Sequence, residues 1–478
     1  MTDVALKQPA GLKVLFFAEL WERFGFYAIQ ALMVLYLTQK LLWTDKPAYE
    51  LYSAFSALIY ATPIIGGYLA DRLLGYRQAI VIGTVLYIIG YFAMGSHNAV
   101  IFNLALAALI CGNGFFKANV STLLGKLYEQ NDLRRDSGFT WFYMGINIGS
   151  FLAPLICTYI AVNYGWHYAF MTAGVGMLIC LATCLFGFKS LGNIGLPPVK
   201  MNFLSHLVFY ILLAGGLYGI AVLLKHDKMV TDALIILAVI AFSVLLVSAF
   251  FEDKFQRHKL IALVLLMVFS ILFWALYFQT FSSLTLFTER NVNREIFHHI
   301  IPTGMFQSVN PFFIIAISPF LAALWLKLNK SNSRFNPSTP MKFAFGLILV
   351  GLGFLTLTFA MKLSGIVGLI AMSWLVFNYF LQTLGELSLS PTGLSAVTAL
   401  APPRLTGLVM GLWFLSFSAA FAVGGKFADL TAIPKGQVIP SITGPIYYEN
   451  FLHFGLASVG AGIVLVLLTP YLRKLMTA

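Results

Sequence analysis

The sequence predicts an all-α polytopic membrane protein, and three observations carry that prediction. The first is composition: 59% of the 478 residues are hydrophobic and 10% are charged, where a soluble domain carries about 25% charged residues. The second is spacing. Apolar stretches of roughly 20 residues, each long enough to cross a ~30 Å hydrocarbon core, recur from end to end and leave no room for a separate soluble domain. The third is the placement of Lys and Arg, which stand in short loops between the stretches. Read that way, the net charge of +12 is a topology signal and not a nucleic-acid footprint.

Fourteen spans are predicted, at 12–39, 50–71, 78–96, 99–125, 137–161, 166–188, 203–224, 230–251, 260–288, 306–327, 341–361, 365–400, 404–430 and 449–474. The seventh and eighth are the most uniformly apolar. They read as a hairpin inserted between two six-span halves, dividing the chain into 1–190, 191–257 and 258–478. With the amino terminus placed in the cytoplasm, nineteen of the thirty Lys and Arg fall in cytoplasmic segments, nine fall in outer ones, and Arg23 and Lys117 lie inside spans. That bias puts both termini in the cytoplasm. The first span is expected to be retained, because the apolar core of a cleavable signal carries no buried charge.

The first span, ELWERFGFYAIQ at its centre, holds Glu19, Glu22 and Arg23. A charge at the bilayer centre costs roughly 2.5–3.5 kcal/mol on insertion scales, so such residues mark function by default. At ~100° per residue, Glu19, Glu22, Arg23, Tyr27 and Gln30 share one stripe, while Leu20, Ala28, Leu32 and Leu35 lie mostly opposite. The second span ends in GYLADRLLGYR, where Asp71, Arg72, Gly75 and Arg77 resemble the short loop motif of the major facilitator superfamily. The fourth span sets Asn113, Lys117 and Ser121 at successive one-turn steps, and the fifth sets Tyr143, Asn147 and Ser150 on one face. In the ninth, Trp274 stands one turn before Phe278; the tenth opens with Asn310 before Pro311. The twelfth carries Asn378, Gln382, Glu386 and Ser390 as a four-member stripe.

These residues are expected to line one cavity. Glu19 and Glu22 balance Arg23 and Lys117, which leaves Glu386 without a partner. It must be protonated, solvated, or met by a cationic ligand group. Ser121, Ser150 and Asn378 are equally readable as hydrogen-bond glue between helices, and Trp274 and Trp413 as packing. Helix breakers near the stripes (Pro63 with Gly66 and Gly67, Pro154, Pro319, Pro391, and Gly424 with Gly425) are either bending points or static kinks. Cys111, Cys157, Cys180 and Cys184 sit in apolar stretches and read as buried free thiols. No CxxC or HExxH spacing points to a metal site or an intramembrane metalloprotease.

At these residues the chain resembles the proton-dependent oligopeptide transporter family of the major facilitator superfamily. The resemblance covers essentially the whole length and, within the family, extends to the bacterial di- and tripeptide permeases. The family pattern ExxERFxYY is matched by Glu19, Glu22, Arg23, Phe24 and Tyr27, and FYxxINxG by Phe142, Tyr143, Ile146, Asn147 and Gly149. GNGFFKAN around Lys117, NP at Asn310, GEL around Glu386 and GLWF around Trp413 also match. The resemblance implies a major facilitator fold of two six-helix bundles plus the inserted hairpin. It implies that Glu386 and Asn310 hold a peptide's amino group and that Arg23 and Lys117 attract its carboxylate. Tyr27, Tyr60, Tyr143 and Asn147 would bond its backbone or ends, and Trp274, Trp413 and Ser390 would shape side-chain pockets. Glu19 and Glu22 would exchange the proton. A carboxyl group releases a proton beside a cation and keeps it when desolvated alone, which is the chemistry such coupling needs.

Four departures bear on this. Phe26 replaces the first Tyr of the YY pair, Gln30 stands where many members have Arg, Phe278 stands where many have an acid, and the second span contains no His. The resulting expectation is a proton-coupled symporter importing di- and tripeptides by alternating access in a bacterial inner membrane. It is driven by the proton gradient without a bound metal or organic cofactor, and is surrounded by lipid with no obligatory protein partner. The rivals are a family member carrying nitrate, a peptide-like drug or a modified amino acid; an intramembrane enzyme; and a channel or receptor.

Overall fold

A computed structural model of the chain describes residues 7–96, 98–129, 132, 134–330, 336–365, 368–402 and 404–477. His97, Arg334 and parts of the predicted loops 126–136 and 328–340 lie outside the described residues. Among the described residues the chain runs through α1 (Ala10–Leu35), α2 (Asp45–Ala61), α3 (Pro63–Leu69), α4 (Gly75–Ala93), α5 (Ala99–Gly125), α6 (Arg135–Asn163), α7 (Trp166–Gly187) and α8 (Phe203–Leu223). It continues through α9 (Asp227–Ala249), α10 (Lys254–Tyr277), α11 (Ser283–Asn291), α12 (Val309–Lys330), α13 (Thr339–Ser364), α14 (Met372–Leu400), α15 (Thr406–Leu430) and α16 (Pro440–Thr477). The fourteen expected spans match these helices once α2 is joined to α3 and α10 to α11. Ten helical segments are apolar and long enough to cross a membrane, two of them, Asp45–Ala93 and Phe203–Ala249, each holding two spans. Among the described residues α1, α11 and α14 lie outside that set; α1 and α14 carry the stripes with Glu19, Glu22 and Arg23 and with Glu386.

The chain divides into two compact units, Met1–Met33 with Leu58–His226, and Val34–Ala57 with Asp227–Ala478. In the first, α4 packs on α5 and α7, α3 and α8 pack on α5, and α6 packs on α7. Helix α1 is buried on both sides: Leu20 and Ala28, opposite the polar stripe, are as enclosed as Glu19 and Glu22. The reason lies in its neighbours. A Cβ at Gly149 of α6 would sit 2.4 Å from the Leu20 carbonyl oxygen, so only glycine there lets the two backbones touch. The Asp71–Arg77 loop turns at Gly75, whose φ of +70° favours glycine. Arg77 then donates from Nε to the Ile194 carbonyl at 2.7 Å, and Tyr76 Oη donates to Asp71 at 2.5 Å.

In the second unit α10 is central, packing on α9, α13, α14, α15 and α16. The first part of α2, through Ala57, joins this unit: Ser53 Oγ donates to the Phe421 carbonyl at 2.6 Å, and Ser418 Oγ to the Ala57 carbonyl at 2.8 Å. A Cβ at Gly425 would lie 2.3 Å from Ser53 Oγ. Gly424 and Gly425 therefore serve close helix contacts inside a continuous α15.

Four spans start five or more residues from their expected limits, the ninth among them at Lys254 instead of 260. The second starts at Asp45 instead of 50, and the fourteenth at Pro440 instead of 449. The twelfth starts at Met372 and not at 365, because Gly368 has a φ of +68° and Ile370–Ala371 pairs as a short parallel strand with Val292–Asn293.

The larger correction is in the ninth span, expected as one helix over 260–288. It breaks after Tyr277 into a 3-10 turn, Phe278–Phe281, and resumes as α11. Neither proline nor glycine stands in the break. Polar side chains hold it instead. Gln279 Nε2 donates to the Ala275 carbonyl at 2.9 Å and the Gly424 carbonyl at 2.8 Å, and Ser283 Oγ donates to Gln279 Oε1 at 2.7 Å. The Thr280 carbonyl accepts from Gln307 Nε2 at 2.6 Å and Thr285 Oγ1 at 2.8 Å. A membrane helix can break where the freed backbone groups find such partners.

At the end of α11, Arg290 donates from Nη1 and Nη2 to the two oxygens of Asp45, at 2.6 and 2.7 Å. Asp45 also accepts from the Ile433 backbone N–H at 2.9 Å. Both side chains are nearly buried, so removing one strands the other's charge. Arg290→Met is expected to destabilise the protein by roughly 3–5 kcal/mol. The double variant Arg290→Met with Asp45→Asn should recover part of that loss. Thermal unfolding in detergent measures both.

Candidate functional site

The polar residues singled out in the sequence gather into one cluster in each unit. In the first, Glu19 and Glu22 are fully enclosed and Arg23 is 5% exposed. Arg23 grips Glu22 with both arms of its guanidinium, Nε to Oε2 and Nη2 to Oε1, each at 2.5 Å. Its Nε lies 3.6 Å from Glu19 Oε1, which accepts from Lys117 Nζ at 2.8 Å. The two carboxylates and two cations thus close a neutral network across α1 and α5. The bidentate geometry suits a fixed pair and the single lysine contact suits a movable one. Lys117 is one-third exposed and is the part of the network that solvent or a ligand can reach. Glu19 Oε2 is buried and has no hydrogen-bond partner.

A third partner of Glu22 escaped the sequence reading. The Tyr87 hydroxyl lies 2.7 Å from Glu22 Oε1 and 3.0 Å from Asn113 Oδ1, while Asn113 Nδ2 donates to the Ile59 carbonyl at 2.7 Å. Tyr87 sits in an otherwise apolar span. Its only signal was Tyr91 one turn on, which stacks with it at 5.9 Å.

Phe26 lacks the family's hydroxyl yet keeps a role, for the Arg23 guanidinium carbon stands 4.3 Å from its ring centroid. A desolvated contact of that kind is worth about 2 kcal/mol. Tyr27 and Tyr60 are half-buried, and both set ring edges against Phe26, at 5.4 and 6.5 Å. Gln30 is buried. On α6, Tyr143 is exposed, while Asn147 donates its amide back to the Tyr143 carbonyl at 2.8 Å. Ser150 and Ser121 likewise bond carbonyls of their own helices. Of the two readings open for these serines, cavity wall or glue between helices, neither is tested by these intrahelical bonds.

The second cluster centres on Glu386 of α14. Its Oε2 accepts from Asn310 Nδ2 at 2.9 Å and from the Tyr277 hydroxyl at 2.8 Å. Asn310 also donates to Thr383 Oγ1 at 2.9 Å. Among the described residues no Lys, Arg or His lies within ion-pair distance of Glu386. Its carboxyl group is held by neutral donors alone. Tyr277 was missed in the sequence, although it falls three residues after Trp274 on the same face.

The rest of this cluster is aromatic. Phe278 stacks on Phe421 at 3.6 Å with a 10° tilt, and Trp274 packs against Phe278 at 5.5 Å and Phe417 at 4.9 Å. Trp413 meets Phe417 edge-on and fills the space over Gly393. Ser390 is half-buried one turn beyond Glu386. Gln382 is tied to Asn378 at 3.0 Å and to Thr280 Oγ1 at 2.9 Å, which links the stripe on α14 to the broken segment after α10. Where many relatives place an acid, Phe278 therefore makes part of an apolar wall, and Glu386 is the one carboxylate of this cluster among the described residues.

Comparison with known proteins gives a consistent picture. The model of the POT family matches residues 77–443. Dipeptide and tripeptide permease A of Escherichia coli (strain K12) is 37% identical over 478 residues, covering 98% of this chain and 94% of the relative. Dipeptide and tripeptide permease B of Aliivibrio fischeri (strain MJ11) is 37% identical, covering 99% and 96%. Among solved structures, a glutamate-to-glutamine mutant of the peptide transporter POT in complex with alafosfalin superposes with a TM-score of 0.87. It is 34% identical, with 98% of this chain and 96% of that one covered. A POT family transporter in complex with 5-aminolevulinic acid gives 0.84 at 27% identity, covering 97% of each.

Tyr87→Phe is expected to lower stability by about 1–3 kcal/mol, because the one hydroxyl proton that Glu22 Oε1 and Asn113 Oδ1 share is removed from a buried site. Gly149→Val should cost about 1–3 kcal/mol by overpacking and also displace Arg23, whose Cβ lies 3.1 Å from the added atom. Thermal unfolding of the two variants beside Ser121→Ala, expected near wild type, checks both.

Proposed function

The chain belongs to the POT family, and from that premise we propose that it is a proton-coupled symporter of di- and tripeptides working by alternating access. The observation that carries the reading is the separation of charge types. The Arg23–Lys117 cluster offers a cation that a ligand can reach, and the Glu386 cluster offers a carboxylate with no cation beside it. A zwitterionic peptide needs one of each. In this reading Glu386 and Asn310 take the amino group, with Tyr277 orienting the carboxylate. Lys117 takes the carboxyl end, and Arg23 acts behind it. Tyr27, Gln30, Tyr60, Tyr143 and Asn147 bond the peptide's backbone or ends. Trp274, Phe278, Ser390 and Trp413 bound the side-chain pockets, and the Phe278–Phe421 stack makes their apolar wall.

Proton coupling rests on Glu19 and Glu22. When a peptide carboxylate draws Lys117 away, Glu19 loses its closest donor, and a proton takes that donor's place. Return of Lys117 releases the proton. Glu22, gripped by Arg23 and Tyr87, supplies the fixed charge that holds Arg23 in place. The proton gradient drives the cycle without a bound metal or organic cofactor. We place the protein in a bacterial inner membrane with both termini in the cytoplasm, in contact with lipid and with no obligatory partner chain.

A second reading is transport of other solutes bearing a primary amine, supported by structural neighbours holding alafosfalin and 5-aminolevulinic acid. Nitrate fits poorly, since it offers nothing to Glu386.

Proteoliposomes under an imposed proton gradient are expected to accumulate labelled di- and tripeptides, with competition by Ala-Ala and none by nitrate. Glu386→Gln should raise KM for dipeptides by about tenfold or more, the loss of a charge-assisted bond of about 1.5–3 kcal/mol. An analogue without the amino group should be bound alike by wild type and variant. Glu19→Gln and Glu22→Gln should abolish uphill accumulation, while counterflow without a gradient persists in Glu19→Gln. Uptake of no short peptide under any gradient overturns the reading.

A further inference from the structure

A crevice in the first unit is lined by none of the residues of the two polar clusters. It is about 680 Å³, bounded by α3, α5, α8 and the segment leading into α8. Its outer wall is one face of α8, where Leu204, Val208, Leu212, Gly216 and Ile220 recur at one-turn steps. Leu204 and Leu212 are 64% and 69% exposed, so the face is open. Its floor is bare backbone. A Cβ at Gly66 would lie 2.0 Å from the Gly114 carbonyl oxygen, so α3 and α5 meet without side chains between them. Phe209 anchors α8 against Phe115 at 6.1 Å, which holds the crevice beside that contact open.

One end of the crevice is different in kind. Lys200 is the one charged residue lining it among the described residues, and it has no ion-pair partner there. The polar groups beside it are already engaged: Asn202 Oδ1 accepts from the Ser205 backbone N–H and hydroxyl, each at 2.8 Å. Thr62 Oγ1, deeper in, donates to the Ile110 carbonyl at 3.0 Å. A free cation therefore stands at the mouth of an apolar slot. From Leu204 to Ile220 the slot follows α8 for roughly 24 Å at 1.5 Å per residue, which takes a full acyl chain.

We propose that this crevice binds one anionic glycerophospholipid, with an acyl chain along α8 and its phosphate at Lys200. Charge complementarity and depth select that occupant. Basic pockets between membrane helices on the cytoplasmic side suit anionic headgroups, since that leaflet is negatively charged. The leaflet assignment rests on the orientation proposed above; the choice of an anionic lipid does not. The bound chain fills the gap between α8 and the rest of the first unit, and so couples the position of α8 to the composition of the membrane.

Native mass spectrometry of the full chain, released from an equimolar mixture of phosphatidylglycerol and phosphatidylcholine, tests this. Wild type is expected to keep one phosphatidylglycerol, in preference to phosphatidylcholine by about fivefold, as one lysine near a headgroup provides. Lys200→Gln should erase the preference, and Lys189→Gln, outside the crevice, should keep it. Gly216→Leu fills the slot from a position where an added Cβ meets nothing within 4 Å. It should lose lipids of both kinds at unchanged unfolding temperature. Equal retention of the two lipids by wild type overturns the proposal, as does a preference that survives Lys200→Gln or vanishes equally in Lys189→Gln. A Gly216→Leu variant that shifts from dimer to monomer while keeping its lipid assigns the face to a second copy of the chain and also overturns it. Retention of glycerol 3-phosphate in place of lipid does the same.

Discussion

The structure of the first unit depends on cancelling charge where water is scarce. Glu19, Glu22 and Arg23 lie within two turns of one helix and are almost fully enclosed. Left alone, any of them would cost more than a helix of this size can supply. The solution is local neutrality. Arg23 takes Glu22 with two bonds, Lys117 reaches from α5 to Glu19, and Tyr87 and Asn113 extend the network to the α2 backbone at Ile59. Every helix that contributes a partner must be close, and the glycine contact of α4 on α5 answers that demand: a Cβ at Gly83 would lie 2.7 Å from the Gly112 carbonyl oxygen. The cluster that gives the unit its chemistry also dictates its packing.

The second unit answers the opposite problem. Glu386 has no cation in hydrogen-bond reach, only Asn310 and Tyr277. Tyr277 is the last residue of α10, directly before the break in the ninth span. That break lies beside Tyr277 and the aromatic wall of Trp274 and Phe278; Gln279 and Gln307 bond the Ala275 and Thr280 carbonyls there, and Ser283 holds the Gln279 side chain. An acid held by neutral donors and a wall of rings is a site for a cation beside an apolar group. An amino terminus next to a side chain has that form.

Much of this was legible in the residues themselves. Span number and approximate limits follow from hydropathy, and the stripe on α1 follows from helical periodicity. The pairing of Asn310 with Glu386 followed from family resemblance and is matched by a 2.9 Å bond. The break after Tyr277 was not legible, because the usual breakers are absent and an apolar run with scattered Ser, Thr and Gln reads as continuous helix. Tyr87 and Tyr277 were missed for a related reason: a tyrosine in an apolar span is ambiguous until its hydroxyl has a partner. Gly424 and Gly425 were readable as a bending point or a static kink, while their close contacts with Ala275 and Ser53 appear only in the fold, since composition cannot tell what a missing side chain makes room for.

By itself the sequence determined that this is an α-helical membrane protein of fourteen spans, with charged residues in the first, fourth and twelfth that lipid cannot accept. Those conclusions rest on transfer free energies and helical period, which are properties of the chain alone. Only the tertiary structure decided which carboxylate meets which cation. It also decided that Phe26 takes the face of Arg23, that Phe278 closes a wall on Phe421, and that α8 leaves a slot with a lysine at its mouth. Each of these depends on distances between residues remote in sequence, and electrostatic and packing energies inside a membrane protein are functions of distance before they are functions of residue type.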